Sequence, residues 1–421
     1  MAEKDAKSVC IVGAGPAGLV AAKTFLQNGG YTVTVFEAAD RVGGMWRGQP
    51  GEYGDKCDPE MRTNLSRFTV AFSDLSWSSV DLSHPVNGSP AVPSTPMFPK
   101  AWQVGRYLEN YSERTGVITH VEFNTKVVSA HLQEGPMNWN VVCADTLTNR
   151  CSHRTFDYVV VASGFFDRPM QKLFFDNLSA SSQTHRANEE HPRHYQHSSR
   201  FRTLSGLTDR AGKIAVIGGG ISGAEAAAQA AMQISSAKYS PGAKDKHADS
   251  VIYHITNRPF YCMPRYLPQD PDEGTHAGSN PAPHFLPLDM ILYNLSRRGG
   301  GEISAAITTV PPEKAAKGHQ FLRSIIGSDQ SDLGHPTLVS DGDQMQYPAY
   351  TGITDTYTEF VRSGVIVPVQ GFVNKISGRD AGSDGFRIEI VPKAPWKRVD
   401  CSRGDVSSKL SLTTLTKLTV S

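Results

Sequence analysis

Two glycine-rich segments with the same spacing, G-x-G-x-x-G, most constrain the fold of this chain. They span Gly13–Gly18 and Gly218–Gly223, and each follows a short apolar run and precedes residues with helical spacing. Strands rich in β-branched residues are predicted next, at Tyr31–Phe36 and Val251–Ile255. Strand, glycine turn, helix and strand make one βαβ unit. The sequence therefore predicts an α/β protein with two Rossmann-like dinucleotide-binding domains.

In the first segment each glycine has its own physical task. Gly13 permits the tight turn after the strand, Gly15 lets the backbone approach a pyrophosphate, and Gly18 lets helix and strand pack closely. The helix N-terminus presents unpaired N–H groups to the anion. Glu37, at the end of the next strand, is placed to accept hydrogen bonds from ribose hydroxyls. A glycine-rich structural turn without a ligand is the alternative.

A glycine pair, Gly43-Gly44, follows shortly after Glu37 and precedes Met45 and Trp46. It indicates a second close backbone approach, which is expected where an FAD dinucleotide lies extended across the domain. A domain that binds only NAD does not need this pair. Trp46 as an ordinary core residue is an alternative that is compatible with the same prediction.

The second segment differs in the residues that follow its next strand. His254-Ile255-Thr256-Asn257-Arg258 places a base there instead of a carboxylate. A carboxylate would repel a 2′-phosphate, whereas an arginine can bind it through paired charge-assisted hydrogen bonds. The pattern favours NADPH over NADH, with Arg200 or Arg202 as further candidates. A solvated surface charge at Arg258 is the alternative.

Taken in order, these segments resemble the flavin-containing monooxygenase family. The resemblance extends over roughly residues 8 to 375 through Thr63-Asn64, Phe72-Ser73-Asp74, Met97-Phe98-Pro99, Tyr107-Leu108 with Tyr111, and Val159–Gly164. The family fingerprint F-x-G-x-x-x-H-x-x-x-[FY] is kept only at His197 and Phe201, because His191 and Arg193 stand where Phe and Gly are expected. The geometry of the entry to the second domain is therefore open.

The resemblance implies which residues bind the two cofactors. For FAD they are Gly13, Ala14, Gly15, Pro16, Ala17, Gly18, Glu37, Arg41, Gly44, Met45, Trp46, Thr63, Asn64, Leu65 and Val127; for NADPH they are Gly218, Gly220, Ser222, Gly223, Ala224, Glu225 and Arg258. It also implies that Asn64 is the catalytic residue, beside flavin and nicotinamide. Its amide can donate and accept hydrogen bonds there without acting as an acid. An asparagine that caps a local turn is the alternative.

By the same resemblance the chain is expected to be an FAD- and NADPH-dependent monooxygenase of the N,N-dimethylaniline monooxygenase type. It would oxygenate a nitrogen or sulfur centre of a small molecule with O2, through a C4a-hydroperoxyflavin. A Baeyer–Villiger monooxygenase acting on a ketone is one alternative, although Phe201 stands where those enzymes have Trp. A cofactor-binding protein with impaired catalysis is another. A two-domain reductase without oxygenation is the third alternative, but this chain lacks the C-x-x-C pair or partner cysteine that a disulfide reductase needs.

The predicted domains are an FAD-binding domain over residues 1–168 and an inserted NADPH-binding domain over residues 169–330. Residues 331–421 are expected to return to the FAD domain, with Asp355–Ile376 as the returning segment. Ile388–Ser421 contains no A-T-G or T-G-[YF] segment, and its Ser, Thr and Lys content predicts a loose tail. The C-terminal part is therefore interpreted as incomplete or diverged.

The composition limits the classes of binding partner that the sequence predicts. Lys and Arg number 42 against 41 Asp and Glu, so the near-zero net charge of +1 gives no reason to expect a nucleic acid or an acidic membrane. The six cysteines are scattered, the charged segment Met1–Lys7 predicts no signal peptide, and no apolar run reaches the about 18 residues of a membrane span. A cytoplasmic protein is expected, and a homo-oligomer is compatible with the sequence. His191, His194 and His197 have the spacing of a metal cluster, but no metal is predicted because His197 belongs to the fingerprint.

Overall fold

The computed structural model describes residues 6–48, 56–82, 95–133, 135, 137–166, 195–242, 246–268, 285–295, 310–378, 386–391, 410–415 and 417–420. The chain divides into two compact units, Met1–Pro169 and Met170–Ser421. Each unit contains a parallel β-sheet and a three-stranded antiparallel meander. The predicted α/β class with two Rossmann-like units is confirmed.

The first unit is built from seven described strands and two helices. They are β1 (Lys7–Val12), α1 (Pro16–Asn28), β2 (Tyr31–Phe36), α2 (Ala101–Arg114), β3 (Val121–Glu122), β4 (Thr125–Gln133), β5 (Asn138–Asp145), β6 (Cys151–Phe156) and β7 (Tyr158–Val161). The parallel sheet has the order β3-β2-β1-β7, and β4-β5-β6 form the meander. The inner strand β1 is flanked on both sides, which is why Val9, Cys10 and Ile11 are completely buried.

The second unit repeats this plan with additional short elements. They are β8 (Tyr195–His197), α3 (Leu204–Leu207), β9 (Lys213–Ile217), α4 (Ile221–Tyr239), β10 (Val251–Thr256), β11 (Tyr261–Met263), β12 (Tyr266–Pro268), β13 (Phe285–Pro287), α5 (Leu288–Leu295), α6 (Pro312–Ile326), β14 (Thr351–Ile353), α7 (Tyr357–Arg362), β15 (Ile366–Gln370), β16 (Phe372–Gly378), β17 (Phe386–Val391), β18 (Leu410–Leu415) and β19 (Lys417–Val420). The sheet order is β15-β10-β9-β19-β8, with every neighbouring pair parallel.

Strand register shows which elements of the two units correspond. Val12 on β1 pairs with Phe36 on β2, and Ile217 on β9 pairs with Ile255 on β10. On the other side of the central strand, β1 pairs with β7 and β9 pairs with β19. The meander β4-β5-β6 precedes β7 along the chain just as β16-β17-β18 precedes β19. The two units are therefore two copies of one topology.

This correspondence corrects the prediction for residues 331–421. The segment Asp355–Ile376 was expected to return to the FAD domain, but its strand β15 pairs in parallel with β10 of the second unit. The expected loose tail is also wrong for residues 410–415 and 417–420, which form β18 and β19. A strand pattern in the sequence specifies an extended conformation, not the sheet that the strand joins, and here tertiary pairing decided that.

Small side chains let helix α4 lie close to its sheet. Its buried face consists largely of alanine, at Ala224, Ala226, Ala227, Ala228, Ala230 and Ala231. These alanines share one hydrophobic cluster with Ile214 of β9, Ile252 of β10 and Ile366 of β15. Alanine combines strong helix propensity with no side-chain entropy loss, so this close packing forms without a local penalty. No helix in the described part of the chain is long and apolar enough to cross a membrane.

Candidate dinucleotide sites

Two of the three glycines in the first motif are required by the protein itself. Gly13 has a φ of +101°, and a Cβ there would lie 2.7 Å from the carbonyl oxygen of Ala162. A Cβ on Gly18 would overlap the Gly13 carbonyl oxygen, because α1 packs directly against the end of β1. Any larger residue at either position would therefore displace backbone atoms.

Gly15 is different, because folding does not require a glycine there. Its φ of −76° and ψ of −176° suit any residue, and it forms the N-cap of α1. Among the described residues, the first atom that a Cβ would meet is Gly44 Cα at 3.7 Å, an ordinary contact. Folding thus does not require the missing side chain at Gly15. A main chain without a side chain at this place fits a ligand that lies directly against it. The helix N-terminus beside it, with Pro16 and Ala17 in its first turn, suits an anionic ligand.

Glu37 is buried directly beside this turn. Its Oε2 accepts a hydrogen bond from the Ala14 N–H at 2.7 Å, and its Oε1 accepts one from the Ala39 N–H at 2.9 Å. A carboxylate has about four acceptor sites, so each oxygen retains capacity for a ribose hydroxyl. The carboxylate thus has a structural task, the orientation of the Gly13–Ala14 peptide, beside the expected binding task.

The glycine pair forms a short 3₁₀ turn over the first motif. Gly43 and Gly44 have φ of +111° and +59°, and the Gly43 N–H donates to the Ala14 carbonyl at 3.0 Å. Met45 is half-buried, and Trp46 packs against the core of the unit, as the alternative interpretation of Trp46 required. The sequence did not reveal Gly105 on α2, where a Cβ would overlap the Trp46 carbonyl oxygen. A lone glycine inside an amphipathic helix was the available signal.

The segment around Asn64 is anchored on both sides. The Thr63 N–H donates to the Pro99 carbonyl at 2.9 Å, and the Thr63 hydroxyl donates to the Leu65 carbonyl at 2.7 Å. Thr63 is buried, Asn64 is half-buried and Leu65 is exposed. The strand-like contact of this segment with the start of α2 continues where the Ala101 N–H donates to the Met61 carbonyl at 2.8 Å. Asn64 therefore lies in a hydrogen-bonded turn and is partly exposed.

The Phe72-Ser73-Asp74 segment has a structural role in the described residues. Tyr107 on α2 accepts a hydrogen bond from the Phe72 N–H at 2.8 Å and donates its own to the Leu75 carbonyl at 2.7 Å. Asp74 forms an ion pair with Lys23 on α1, and this contact lowers the pKa of the Asp74 carboxyl. The segment thus connects α1, which begins within the first motif, with α2.

Two further FAD candidates of the sequence, Arg41 and Val127, have contacts of their own. Arg41 is half-buried, with its Nε 3.4 Å from the Asp40 carboxylate. Val127 on β4 pairs with Cys143 on β5 beside a register shift in the meander, and its side chain packs with Phe36. Val127 is therefore a packing residue through its side chain, and its backbone is the part that a ligand could contact.

The second motif has the same backbone geometry as the first. Gly218 has a φ of +135°, and its N–H donates to the Ile255 carbonyl at 3.0 Å, as the Gly13 N–H donates to the Phe36 carbonyl at 2.8 Å. Gly220 is the N-cap of α4 with φ −88° and ψ 179°, and among the described residues a Cβ there meets nothing within 4 Å. Ser222, Gly223 and Ala224 form the first turn of α4.

Thr256 occupies the position in the second unit that Glu37 occupies in the first. It follows Ile255 as Glu37 follows Phe36 in the matching register. Thr256 is 1% exposed, and within the described part of the chain its hydroxyl has no hydrogen-bond partner. A buried hydroxyl without a partner costs free energy, which a ligand at this position would recover. The second site therefore carries no carboxylate where the first has one.

Arg258, two residues beyond Thr256, stacks on an aromatic ring. Its guanidinium carbon lies 3.2 Å from the centre of the Tyr350 ring, and in the described residues no carboxylate pairs with it. Stacking on one face leaves the N–H edge of the guanidinium available for an anion. The other basic candidates are placed less suitably, because Arg202 donates to the Phe201 carbonyl at 2.8 Å and Arg200 is exposed.

Glu225 has a partner that the sequence did not suggest. Its carboxylate lies 3.3 Å from the buried guanidinium of Arg265, which also contacts Asp355 at 2.6 Å. Burial raises the pKa of Glu225, and Arg265 opposes that shift. The Glu225 side chain therefore forms an ion pair within the second unit. His197 contacts the Ser199 hydroxyl at 2.9 Å, while His191 and His194 lie outside the described residues.

The sequence of this chain is similar to known proteins that are described as oxidoreductases and monooxygenases. The family described as pyridine nucleotide-disulphide oxidoreductase matches residues 7–253. Flavin-containing monooxygenase FMO GS-OX1 from Arabidopsis thaliana is 30% identical over 181 residues, 39% of this chain and 36% of that protein. Senecionine N-oxygenase from Tyria jacobaeae is 27% identical over 264 residues, 61% of this chain and 50% of that protein. This chain thus spans half or less of the length of these relatives.

One solved structure aligns over nearly the whole chain. The structure of OTEMO in complex with FAD and NADP covers 99% of this chain and 71% of its own, with 16% identity and a TM-score of 0.55. At that identity the likeness concerns the fold. Together with the curated relatives, it confirms the resemblance to flavin-containing monooxygenases that the motifs indicate.

Proposed function

The chain belongs to the pyridine nucleotide-disulphide oxidoreductase family, and from this premise we propose that it is a flavin-dependent monooxygenase. In this proposal the first unit binds FAD, the second binds NADPH, and the substrate is a small molecule with a nucleophilic nitrogen or sulfur. The relatives named for N-oxygenation and for flavin-containing monooxygenase activity support the reaction class.

One observation carries the proposal: each unit has a glycine that its own fold does not need. Gly15 and Gly220 both have extended backbone angles that any residue can adopt, and both lie at a helix N-terminus with room for a Cβ among the described residues. A purely structural turn would require glycine only where φ is positive or atoms are crowded, as at Gly13 and Gly18. Two such uncovered turns support two dinucleotide sites in one chain.

Two dinucleotides in one chain imply electron transfer between them. When bound, FAD accepts a hydride from NADPH and activates O2, and this chemistry belongs to the cofactor. The residues of the chain bind and orient: Glu37 directs the Gly13–Ala14 peptide and offers its remaining acceptor sites to a ribose. Asn64, in its anchored turn, is proposed to donate and accept hydrogen bonds at the reacting centre without releasing a proton.

Coenzyme choice is proposed to depend on Thr256 and Arg258. The first supplies a neutral hydroxyl where the FAD site has the Glu37 carboxylate, so a 2′-phosphate meets no negative charge there. The second offers a guanidinium edge that its stacking on Tyr350 holds in place. A planar guanidinium can bind a phosphate through two parallel hydrogen bonds, which supports NADPH over NADH.

A Baeyer–Villiger reaction on a ketone is the second candidate, and the solved structure with FAD and NADP that shares the fold over 99% of this chain is compatible with the cofactors of that reaction. Phe201 is buried with Leu204 and Leu207 in the core of the second unit, so it supplies no N–H where a tryptophan would. The two candidates share both cofactors and differ in the substrate that accepts oxygen.

The deciding experiment is an NADPH oxidation assay on purified protein of measured FAD content. Panels of tertiary amines, thioethers and ketones are added, and products and hydrogen peroxide are quantified. Oxygenated amine or thioether supports the proposal, and ester from a ketone supports the second candidate. NADPH oxidation that yields only hydrogen peroxide with all three panels would contradict both, and absence of FAD binding would contradict the cofactor assignment.

A further inference from the structure

A completely buried histidine forms a hydrogen bond with the first glycine of the second motif. His254 on β10 is 0% exposed, with its Nε2 2.8 Å from the Gly218 carbonyl oxygen and its Nδ1 2.7 Å from the Tyr357 hydroxyl. A carbonyl oxygen only accepts, so Nε2 carries the proton and donates it to Gly218. Nδ1 therefore accepts from the Tyr357 hydroxyl. The tyrosine fixes the tautomer of the imidazole, and the imidazole fixes the carbonyl.

In the first unit the corresponding peptide of the glycine turn is held by a different contact. The register that aligns His254 with Val216 aligns Val35 with Ile11, so an aliphatic residue stands at the histidine position of the first unit. There the Gly13–Ala14 peptide is held through its N–H, which donates to Glu37. In the second unit the carboxylate is absent, and the corresponding Gly218–Gly219 peptide is held through its carbonyl oxygen.

This difference has a consequence for the N–H of Gly219. In a trans peptide the C=O and N–H point in opposite directions, so fixing the Gly218 carbonyl on His254 also fixes the direction of the Gly219 N–H. Within the described part of the chain, no atom accepts a hydrogen bond from that N–H, whereas Glu37 occupies the equivalent N–H of Ala14. The second unit thus keeps one more backbone donor available at its glycine turn.

We propose that His254 and Tyr357 are a positioning pair that orients the Gly218–Gly219 peptide so that the Gly219 N–H binds the pyrophosphate of the nicotinamide dinucleotide. This rests on the proposed NADPH site of the second unit. The pair acts on the part of the ligand that NADPH and NADH share, whereas Arg258 acts on the 2′-phosphate alone. The lowered pKa of His254, about 4 because of its burial, is consistent with an imidazole that stays neutral.

The test is a titration of NAD⁺ and NADP⁺ into the purified full-length holoprotein and its variants. His254→Leu removes the donor, and we expect the dissociation constants of both dinucleotides to rise by the same factor, about 3- to 10-fold for one net hydrogen bond. His254→Gln, whose amide can still donate, should recover most of the affinity. Tyr357→Phe should give an intermediate loss because the imidazole tautomer is no longer fixed. FAD content should stay unchanged in all three.

The chain contains a matched control. His319 is 2% exposed, with Nδ1 2.9 Å from the Tyr261 hydroxyl and Nε2 2.9 Å from the Tyr347 carbonyl oxygen, the same arrangement away from the glycine turn. His319→Leu should lower the melting temperature comparably and leave NAD⁺ affinity unchanged. NAD⁺ is the probe for this control because it lacks the 2′-phosphate. His319 contacts Tyr347, which lies close in sequence to Tyr350, so His319→Leu could disturb the stacking of Arg258 and with it the binding of NADP⁺.

Equal NAD⁺ losses in His254→Leu and His319→Leu would overturn the proposal, and so would unchanged affinity in His254→Leu. Should His254→Leu fail to fold, long-range proton–nitrogen spectra of the wild type provide a second measurement. The Nε2–H tautomer of His254 is expected, and the Nδ1–H tautomer would overturn the proposal. A wild type that binds neither dinucleotide would instead contradict the proposed NADPH site itself.

Discussion

Replacement of Gly15 by alanine should separate cofactor binding from folding. The backbone angles of Gly15 suit alanine, and the new Cβ would meet Gly44 Cα at 3.7 Å, so neither strain nor a clash opposes the substitution. The same Cβ would project at the N-terminus of α1, where the pyrophosphate is proposed to lie. The variant is therefore expected to fold normally and to bind FAD poorly.

The magnitudes follow from the geometry. Alanine at a compatible position stabilises by about 0.4–1 kcal/mol through the unfolded chain, whereas alanine is a poorer N-cap than glycine by about 1 kcal/mol, so the two effects nearly cancel. If the Cβ prevents one hydrogen bond to the charged pyrophosphate, the loss is about 1.5–3 kcal/mol, or roughly 10- to 150-fold in affinity. Gly15→Val should lose more because its side chain is larger.

The assay is an FAD titration into apoprotein together with thermal unfolding, and the second unit supplies the matched control. Gly220→Ala should weaken NADP⁺ binding and leave FAD affinity unchanged, the reverse of Gly15→Ala. Gly18→Ala should unfold the first unit, because its Cβ overlaps the Gly13 carbonyl oxygen. Full FAD affinity in Gly15→Ala would refute the interpretation of this turn as the pyrophosphate site.

Further substitutions test the other assignments. Arg258→Ala should raise the Michaelis constant for NADPH by a factor equivalent to about 1.5–3 kcal/mol and leave NADH almost unaffected; equal losses would indicate a folding defect. Asn64→Ala should leave flavin reduction largely intact while oxygen is diverted to hydrogen peroxide, and an unchanged product yield would remove the proposed role. The pKa of His254 is lowered from 6.5 to about 4 by burial. Between these pH values the unfolded chain binds a proton that the folded chain does not, so stability should fall by about 3 kcal/mol as the pH drops from 6.5 to 4. His254→Gln should flatten this slope in urea titrations at several pH values, and an equal slope would show that other groups cause it.

Local patterns in the sequence were sufficient for the parts of the fold that depend on short-range regularity. Both βαβ units were predicted because strand, glycine turn and helix follow each other within a few residues. The helical spacing of Trp102, Val104, Tyr107, Leu108 and Tyr111 in the sequence agrees with their burial on one face of α2. Strand β6 has no such local pattern, since most of Cys151–Phe156 is exposed and polar, and only its pairing with β5 makes it a strand.

What the sequence by itself determined is therefore local: two glycine turns, their helices, and the types of residue that end each second strand. Only the tertiary structure decided which sheet receives β15 and β19, because any extended segment can pair with any exposed strand edge that reaches it. It also supplied the contacts behind the tasks that the motif assigns by position, because a Cβ has room at Gly15 and Gly220 but would meet backbone atoms at Gly13 and Gly18. It also brought Tyr357 to His254 across a long stretch of chain, a contact that burial and hydrogen-bond demand enforce but that no local pattern records.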